Sequence, residues 1–198
     1  KKLIGLNASG RAPYAMTLEA LNEKLDKHDM DRIRGIYSVT VPGAVDGWFE
    51  VLEKYGTMSM GEVLQPAIYY AEHGIPNYEY MLDKLASPAT KQQFDLYPPG
   101  GSEVFYENGT LPAPGSMLVQ KALGSTIAKI AAAETAASGD RAAGIRAGRD
   151  AFYKGEIAET IVEGSEQVGG IISREDLASY SSRFDEPVKS AFMGREIH

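Results

Sequence analysis

Histidine, serine and cysteine are the first residue types to examine for catalysis or metal binding. The three histidines, His28, His73 and His198, lie far apart in the sequence. Cysteine is absent, which excludes thiolate nucleophiles, thiolate metal ligands and disulfides. No serine lies in a Gly-x-Ser-x-Gly pattern, where a sharp turn would expose it as a nucleophile. The sequence therefore predicts no catalytic residue and no metal site within this chain.

Carboxylates and glycines give no stronger signal. Glu156, Glu159 and Glu163 share one predicted helix, and their spacing is interpreted as a solvated helix face. The glycines match neither the dinucleotide-binding fingerprint nor the phosphate-binding loop. No cofactor is predicted.

Arg11 is the one candidate for ligand binding. It lies in a polar loop, between Gly10 and Ala12-Pro13, directly after a predicted strand. Loops that follow strands often hold functional groups on a rigid scaffold. A guanidinium in such a place can bind a carboxylate through two parallel hydrogen bonds. The alternative, which these residues alone favour, is a structural or surface arginine.

Composition narrows the class of protein. The chain has 198 residues, with 20 Lys and Arg against 27 Asp and Glu, and a formal charge of -7. The charges are interspersed, and no basic block predicts binding to nucleic acid. No apolar run approaches the roughly 18 residues that a membrane span needs. Residues 1–198 are therefore expected to form a single unit with no membrane span.

The N-terminal region should contain a strand, a helix and a second extended segment. Leu3–Leu6 is a short apolar strand candidate, and Thr17 is placed to cap a helix that continues to Leu25. The segment Ile36–Val41 is β-prone but short.

Two amphipathic helices are predicted next, and they should pack on each other as a helical hairpin. The first covers Pro42–Tyr55 and places Val45, Trp48, Phe49 and Leu52 on one face, so Trp48 is expected to be buried. The second covers Met60–His73. Ser59 and Glu62 form a capping box at its start, and Gly74 ends it.

The remaining elements are predicted from local signals. Tyr78–Leu85 should be helical, 88–101 a loop, and Asn108-Gly109 the turn of a small hairpin. A helix should cover Leu118–Ala137, and the small-residue segment that follows it is either helix or surface insertion. Further predictions are a helix capped by Asp150 that runs to Gln167, a capping box formed by Ser173 and Asp176, and a strand over Val188–Ile197. The chain is thus expected to be mainly helical, with strands near both ends.

Three segments of the sequence resemble the large subunit of the γ-glutamyltranspeptidase family. The first is "SVTVPGAVDGWFEVLEKYGTMSMGEVLQPAIYYAEHGIPN", the second is "DAFYKGEIAETIV" and the third is "GGIISREDLASY". Their order and rough spacing also agree with the family, and the resemblance extends over nearly the whole chain, Leu3–His198. The resemblance implies an α+β fold, a mainly helical segment of the αββα sandwich of N-terminal nucleophile hydrolases.

The resemblance also implies a mechanism that this chain does not complete alone. In the family a precursor cleaves itself, and the freed threonine of the small subunit is the nucleophile, with its own α-amine as a base. That threonine belongs to a Thr-Thr-His-like junction, and this sequence has no Thr-Thr pair. We expect a segment of the large subunit that lies before the junction. It should be inactive alone and need the small catalytic subunit as a partner.

Arg11 matches the family's arginine that binds the α-carboxylate of the glutamyl group. Its flanks differ, because Gly10 replaces an aromatic residue and Ala12 replaces an acidic one. The resemblance therefore predicts an enzyme that cleaves γ-glutamyl amides, such as glutathione, and transfers the glutamyl group to water or an amine. Alternatives are a related amide hydrolase or acylase, and a non-catalytic helical interaction module. A periplasmic or extracellular location is typical of the family, and the cytoplasm is left open.

Overall fold

A computed structural model describes residues 3–24, 35–96 and 101–197. In chain order its helices are α1 (Leu18–Lys24), α2 (Ala44–Tyr55), α3 (Met60–His73), α4 (Glu79–Leu85), α5 (Pro88–Leu96), α6 (Gly101–Phe105), α7 (Lys121–Ala136), α8 (Arg141–Tyr153), α9 (Glu156–Gln167) and α10 (Arg174–Ala178). The strands are short: β1 (Gly5–Asn7), β2 (Ile75–Pro76), β3 (Met117–Leu118), β4 (Arg183–Asp185), β5 (Ser190–Phe192) and β6 (Arg195–Ile197). A mainly helical chain with strands near both ends is confirmed.

The core lies between helices α2, α3, α7, α8 and α9. Helix α3 packs along α7, α7 packs along α8, and α2 and α9 both pack against α8. One buried cluster contains Phe49, Met60, Ile130, Ile145 and Ile157. A second contains Val41, Tyr153, Ala158, Val162, Ile172, Leu177 and Tyr180. Helix α8 contributes Ile145 to the first cluster and Tyr153 to the second, so this helix is central to the fold.

The predicted hairpin of α2 and α3 is only partly correct. The capping box is confirmed, since Glu62 N donates to Ser59 Oγ at 3.1 Å and Ser59 N donates to Glu62 Oε2 at 2.8 Å. The main partners of the two helices are α8 and α7 instead of each other, although Phe49 of α2 and Met60 of α3 share one buried cluster. The burial of Trp48 is wrong, since this side chain is 60% exposed. Helix α2 instead turns Asp46 and Phe49 toward the core.

Two loop and strand assignments are wrong. The segment Gly35–Ser38 forms a 3₁₀ turn instead of a strand. Val41 is buried and its N–H donates to the carbonyl of Arg11 at 2.9 Å, so it supports a loop instead of a sheet. Part of the predicted loop 88–101 is helix α5, which Pro88 begins at a position where a missing N–H costs nothing.

The segment left open between helix and insertion is helix α8. Ile145 is fully buried there, and Gly148 lies so close to α7 that a Cβ would approach the carbonyl oxygen of Ile130 to 3.3 Å. Asp150 lies inside this helix and does not cap the next one, which begins after Gly155. The N-cap of α8 itself is Asp140, whose carboxylate accepts from Ala143 N at 2.9 Å.

The terminal strands form two small antiparallel pairs. Strand β1 pairs with β4 and places Leu6 opposite Phe184. The predicted strand Val188–Ile197 folds back on itself as β5 and β6, with Met193 and Gly194 at positive φ in the turn. Asn108 and Gly109 also have positive φ, and a single bridge between Glu107 and Thr110 closes their turn. The predicted turn is therefore confirmed, but the hairpin is wrong, because Gly101–Phe105 before the turn form helix α6 and only the single bridge remains.

Among the described helices, none combines the length and apolarity that crossing a membrane requires. His73 is exposed and stacks on Tyr69, with the ring centroids 4.3 Å apart. His28 and His198 lie outside the described residues.

Candidate functional site

The Arg11 loop, residues 8–14, connects β1 to α1 and crosses the N-terminal end of α2. Its backbone lies very close to the chain that precedes α2. A Cβ on Gly10 would lie 2.4 Å from the carbonyl oxygen of Val41, and a Cβ on Gly43 would lie 2.2 Å from that of Ala8. Larger residues at Gly10 and Gly43 would therefore displace the loop.

The guanidinium of Arg11 is held by the C-terminal helix α10. Nη2 donates to the carbonyl of Asp176 at 3.0 Å and to Ser179 Oγ at 2.8 Å. Nη1 makes longer contacts, 3.4 Å to Asp176 Oδ1 and 3.5 Å to the carbonyl of Ala12. The ring of Tyr14 lies 3.9 Å from the guanidinium carbon, within reach of a cation–π interaction. With the side chain 31% exposed, Arg11 is a fixed cation at the surface.

The side chain of Asp176 is fully buried and has two functions. Its Oδ2 accepts from Ser173 N at 2.9 Å and Ser173 Oγ at 2.7 Å, which completes the predicted capping box of α10. Its Oδ1 accepts from Tyr14 N at 2.7 Å and faces Arg11. Burial opposes ionisation, but the hydrogen bonds from Ser173 and Tyr14 and the charge of Arg11 outweigh it and lower the pKa of Asp176.

A buried polar network lies behind the Arg11 loop. Asp46 of α2 is fully buried and forms an ion pair with Arg149 Nε of α8. The hydroxyl of Tyr153 donates to the carbonyl of Pro42 at 2.6 Å and accepts from Asp46 N at 3.0 Å. Burial raises the pKa of Tyr153 to about 12, so it stays a neutral donor. The sequence gives no local sign of this network, because its members lie on two distant segments, residues 42–46 and 149–153.

Comparison with known proteins decides the family. A family model described as gamma-glutamyltranspeptidase matches residues 1–198. The chain belongs to the γ-glutamyltranspeptidase family.

Curated members of this family that resemble the chain are named as proenzymes. The chain is 31% identical to the acylase ACY 1 proenzyme of Pseudomonas sp. (strain SE83), over 93% of this chain and 30% of that protein. It is 30% identical to the glutathione hydrolase-like YwrD proenzyme of Bacillus subtilis, over 97% of this chain and 33% of that protein. The chain thus spans about a third of the length of these relatives.

Solved structures of the family share the fold. The γ-glutamyltranspeptidase of Helicobacter pylori superposes with a TM-score of 0.80 at 29% identity, covering 98% of this chain and 51% of that one. The cephalosporin acylase of Bacillus halodurans gives a TM-score of 0.78 at 30% identity, covering 98% of this chain and 34% of that one. The predicted fold class, a mainly helical α+β segment of an N-terminal nucleophile hydrolase, is confirmed.

An apolar groove adjoins the Arg11 loop in this γ-glutamyltranspeptidase family member. It encloses about 650 Å³ between β1 and the outer face of α2. Its lining is mostly aliphatic and aromatic and includes Leu6, Ala8, Trp48, Val51, Tyr55 and Val63. Of the helical stripe that was expected to face the core, Trp48 and Leu52 line this open groove, whereas Phe49 is buried.

The described residues contain no group of three histidine, aspartate or glutamate side chains that could hold a metal ion. Of the predicted site residues, Arg11 is at the surface of its loop as expected, and its role in substrate binding stays a prediction. Asp176 had been recognised only as a cap. The sequence offers no local sign of its contact with Arg11, since the two residues are 165 positions apart.

Proposed function

We propose that this chain is part of an enzyme that cleaves γ-glutamyl amides, such as glutathione, and transfers the glutamyl group to water or an amine. The observation that carries the proposal is the partly exposed guanidinium of Arg11, which is held through Nη2 by the carbonyl of Asp176 and the hydroxyl of Ser179. Relatives named as glutathione hydrolases support it.

Arg11 would bind the α-carboxylate of the glutamyl group. Two short hydrogen bonds hold Nη2, whereas the contacts of Nη1 are 3.4 and 3.5 Å long. A substrate carboxylate can therefore compete for Nη1 while Nη2 keeps the side chain in place. A cation that is oriented before the substrate arrives loses less entropy on binding.

The covalent chemistry would come from a threonine outside this sequence. Nucleophile activation by a free α-amine requires a new N-terminus at that threonine. This sequence has no Thr-Thr pair of the kind that marks the cleavage junction. We therefore expect no turnover by the purified chain. Turnover that disappears when one of its own residues is mutated would contradict this.

The partner would be the rest of the same proenzyme, including its small catalytic subunit. Residues 1–198 would act as one unit that contributes helices and edge strands to a larger sandwich. The groove beside Trp48 supports this, because large exposed apolar patches mark protein interfaces. Among the described residues, strand β1 pairs only with β4, and its Leu6 lines the groove, so the rest of the proenzyme would extend this pair and cover the groove.

A related acylase is the second candidate function. Gly10 and Ala12 replace the aromatic and acidic flanks of the family's arginine, and one curated relative is an acylase. Under this alternative, Arg11 would hold the loop against α10 without contacting the substrate.

The substrate preference of the full-length protein tests both candidates. The assay compares γ-glutamyl-p-nitroanilide with simple acyl amides that carry no α-carboxylate. A kcat/KM that is higher for the γ-glutamyl substrate supports the proposal. A kcat/KM that is higher for the simple acyl amides supports the acylase instead. If the full-length protein cleaves neither substrate, and the chain binds a protein without any small subunit, an interaction module is favoured.

A further inference from the structure

We infer that Tyr180 is a positioning residue for the Arg11 loop, held in place by the buried ion pair of Asp46 and Arg149. This inference rests on the proposed function, in which Arg11 binds the substrate carboxylate. It adds a determinant of substrate binding that does not contact the substrate.

The hydroxyl of Tyr180 reaches the Arg11 loop directly. It donates to the carbonyl of Ser9 at 2.9 Å, two residues before Arg11. The side chain is buried, and its ring stacks on that of Tyr153, with centroids 5.9 Å apart and planes at 9°. It also lies against Gly43, where a Cβ would meet the hydroxyl at 2.3 Å. The ring therefore has little room to rotate, and its hydroxyl fixes the position of the loop backbone at Ser9.

The ion pair holds the backbone at Tyr180 and just after it, at Ser182. Nη2 of Arg149 donates to the carbonyl of Tyr180 at 2.6 Å. Oδ2 of Asp46 accepts from the N–H of Ser182 at 2.6 Å. Because the two partners lie on α2 and α8, the segment that carries Tyr180 is tied to the centre of the helical core.

The same segment carries the other support of Arg11. Helix α10 ends two residues before Tyr180, and its residue Asp176 accepts from Tyr14 N at 2.7 Å and faces the guanidinium. The Arg11 loop is therefore held at Ser9 by Tyr180 and at Arg11 and Tyr14 by Asp176. A shift of this one segment would move both supports together.

Tyr180→Phe in the full-length protein tests the inference, because it keeps the ring and removes only the donor to Ser9. We expect KM for γ-glutamyl-p-nitroanilide to rise about three- to tenfold, the value of one hydrogen bond, with a smaller change in kcat. Tyr70→Phe, at an exposed position of α3, is the matched control and should leave both constants unchanged. In an Arg11→Ala background the effect of Tyr180→Phe should largely disappear, since both changes act on one contact.

A second measurement does not depend on the substrate. The amide of Val41 donates to the carbonyl of Arg11, so its hydrogen exchange reports whether the loop is seated. Tyr180→Phe should accelerate this exchange, and Tyr70→Phe should not. Unchanged exchange and unchanged KM would overturn the positioning role, as would equal effects of Tyr180→Phe with and without Arg11. If Arg11→Ala itself has no effect on kcat/KM, the proposed carboxylate contact fails, while accelerated exchange would still support the loop contact.

Discussion

Arg11 and Asp176 are 165 positions apart in sequence, yet Nη2 of Arg11 donates to the carbonyl of Asp176 at 3.0 Å. The contact joins the loop after the first strand to the helix before the last strands. It means that the proposed substrate-binding cation is oriented by the fold before any ligand is present.

Substitution of Arg11 tests whether this cation binds substrate. In the full-length protein, Arg11→Lys keeps the charge but loses the planar fork, so it should impair γ-glutamyl substrates nearly as much as Arg11→Ala. We expect a loss of about 2–5 kcal/mol in transition-state binding, measured from kcat/KM, if the contact is desolvated. Arg174→Ala, at an exposed arginine of α10, is the control. Acyl amides without an α-carboxylate should be insensitive, and an unchanged kcat/KM on γ-glutamyl substrates would assign Arg11 a structural role.

The lowered pKa of Asp176 predicts a pH dependence of stability. Because its pKa in the folded chain lies below the ordinary value of 3.8, its stabilisation is complete above that value. It is lost as the pH falls from about 4 through the folded pKa. Asp176→Asn should cost about 3 kcal/mol at pH 7, because buried donors lose a charged partner.

Urea unfolding of wild type and Asp176→Asn at pH 7 and pH 3 measures this effect. The difference between the two proteins should narrow at the lower pH. Asp83→Asn, at an exposed carboxylate of α4, should show little difference at either pH. A difference for Asp176→Asn that stays constant over this range would contradict the assigned pKa shift.

Trp48 and Phe49 are neighbours in sequence with opposite environments, and this contrast gives a direct stability test. Phe49 is 3% exposed and Trp48 is 60% exposed. Phe49→Ala should cost about 3–5 kcal/mol, and Trp48→Ala should cost about 1 kcal/mol or less in the isolated chain. The emission of Trp48, the only tryptophan in the sequence, should be solvent-like and easily quenched by acrylamide. A blue-shifted, protected emission would show that the chain itself covers the groove.

Features set by neighbouring residues could be predicted from the sequence. The capping boxes of Ser59 with Glu62 and Ser173 with Asp176 depend on hydrogen bonds across three residues. The Asn108-Gly109 turn depends on the tolerance of these two residues for positive φ. The helices that follow from such local signals are confirmed.

Features set by distant contacts could not be predicted. Helical spacing put Val45, Trp48, Phe49 and Leu52 on one stripe, but it could not show which edge of the stripe faces the core. That choice depends partly on Asp46. Its charge predicts an exposed position, but it is buried because it forms an ion pair with Arg149, 103 positions away. The candidate site shows the same contrast. Arg11 could be predicted from the local loop sequence, but its contacts with Asp176 and Ser179 could not.

The ion pair of Asp46 and Arg149 should contribute strongly to the fold. Arg149→Ala leaves a fully buried carboxylate without its charged partner, and breaking such a pair costs about 3–5 kcal/mol. Arg146→Ala, one turn earlier on α8, breaks an ion pair with Glu53 at a side chain that is 56% exposed. It should cost about 1 kcal/mol or less. Equal losses in thermal or urea unfolding would mean that burial of Asp46 does not make its ion pair more important.

The N-terminal end of α8 gives a test of the cap at Asp140. The sequence pattern favoured Asp150 as the cap of the next helix, whereas the carboxylate of Asp140 accepts from Ala143 N at 2.9 Å and begins α8. Asp140→Ala should therefore destabilise the chain by about 1 kcal/mol, the usual value of an N-cap. Asp150→Ala removes partly exposed ion pairs from the interior of the same helix and should change stability by about 0.5 kcal/mol or less. Urea unfolding of the two variants measures both effects, and Asp140→Ser should recover most of the loss because serine is also a good cap. A larger loss for Asp150→Ala than for Asp140→Ala would contradict the importance of the Asp140 cap and assign more of the stability to the ion pairs of Asp150.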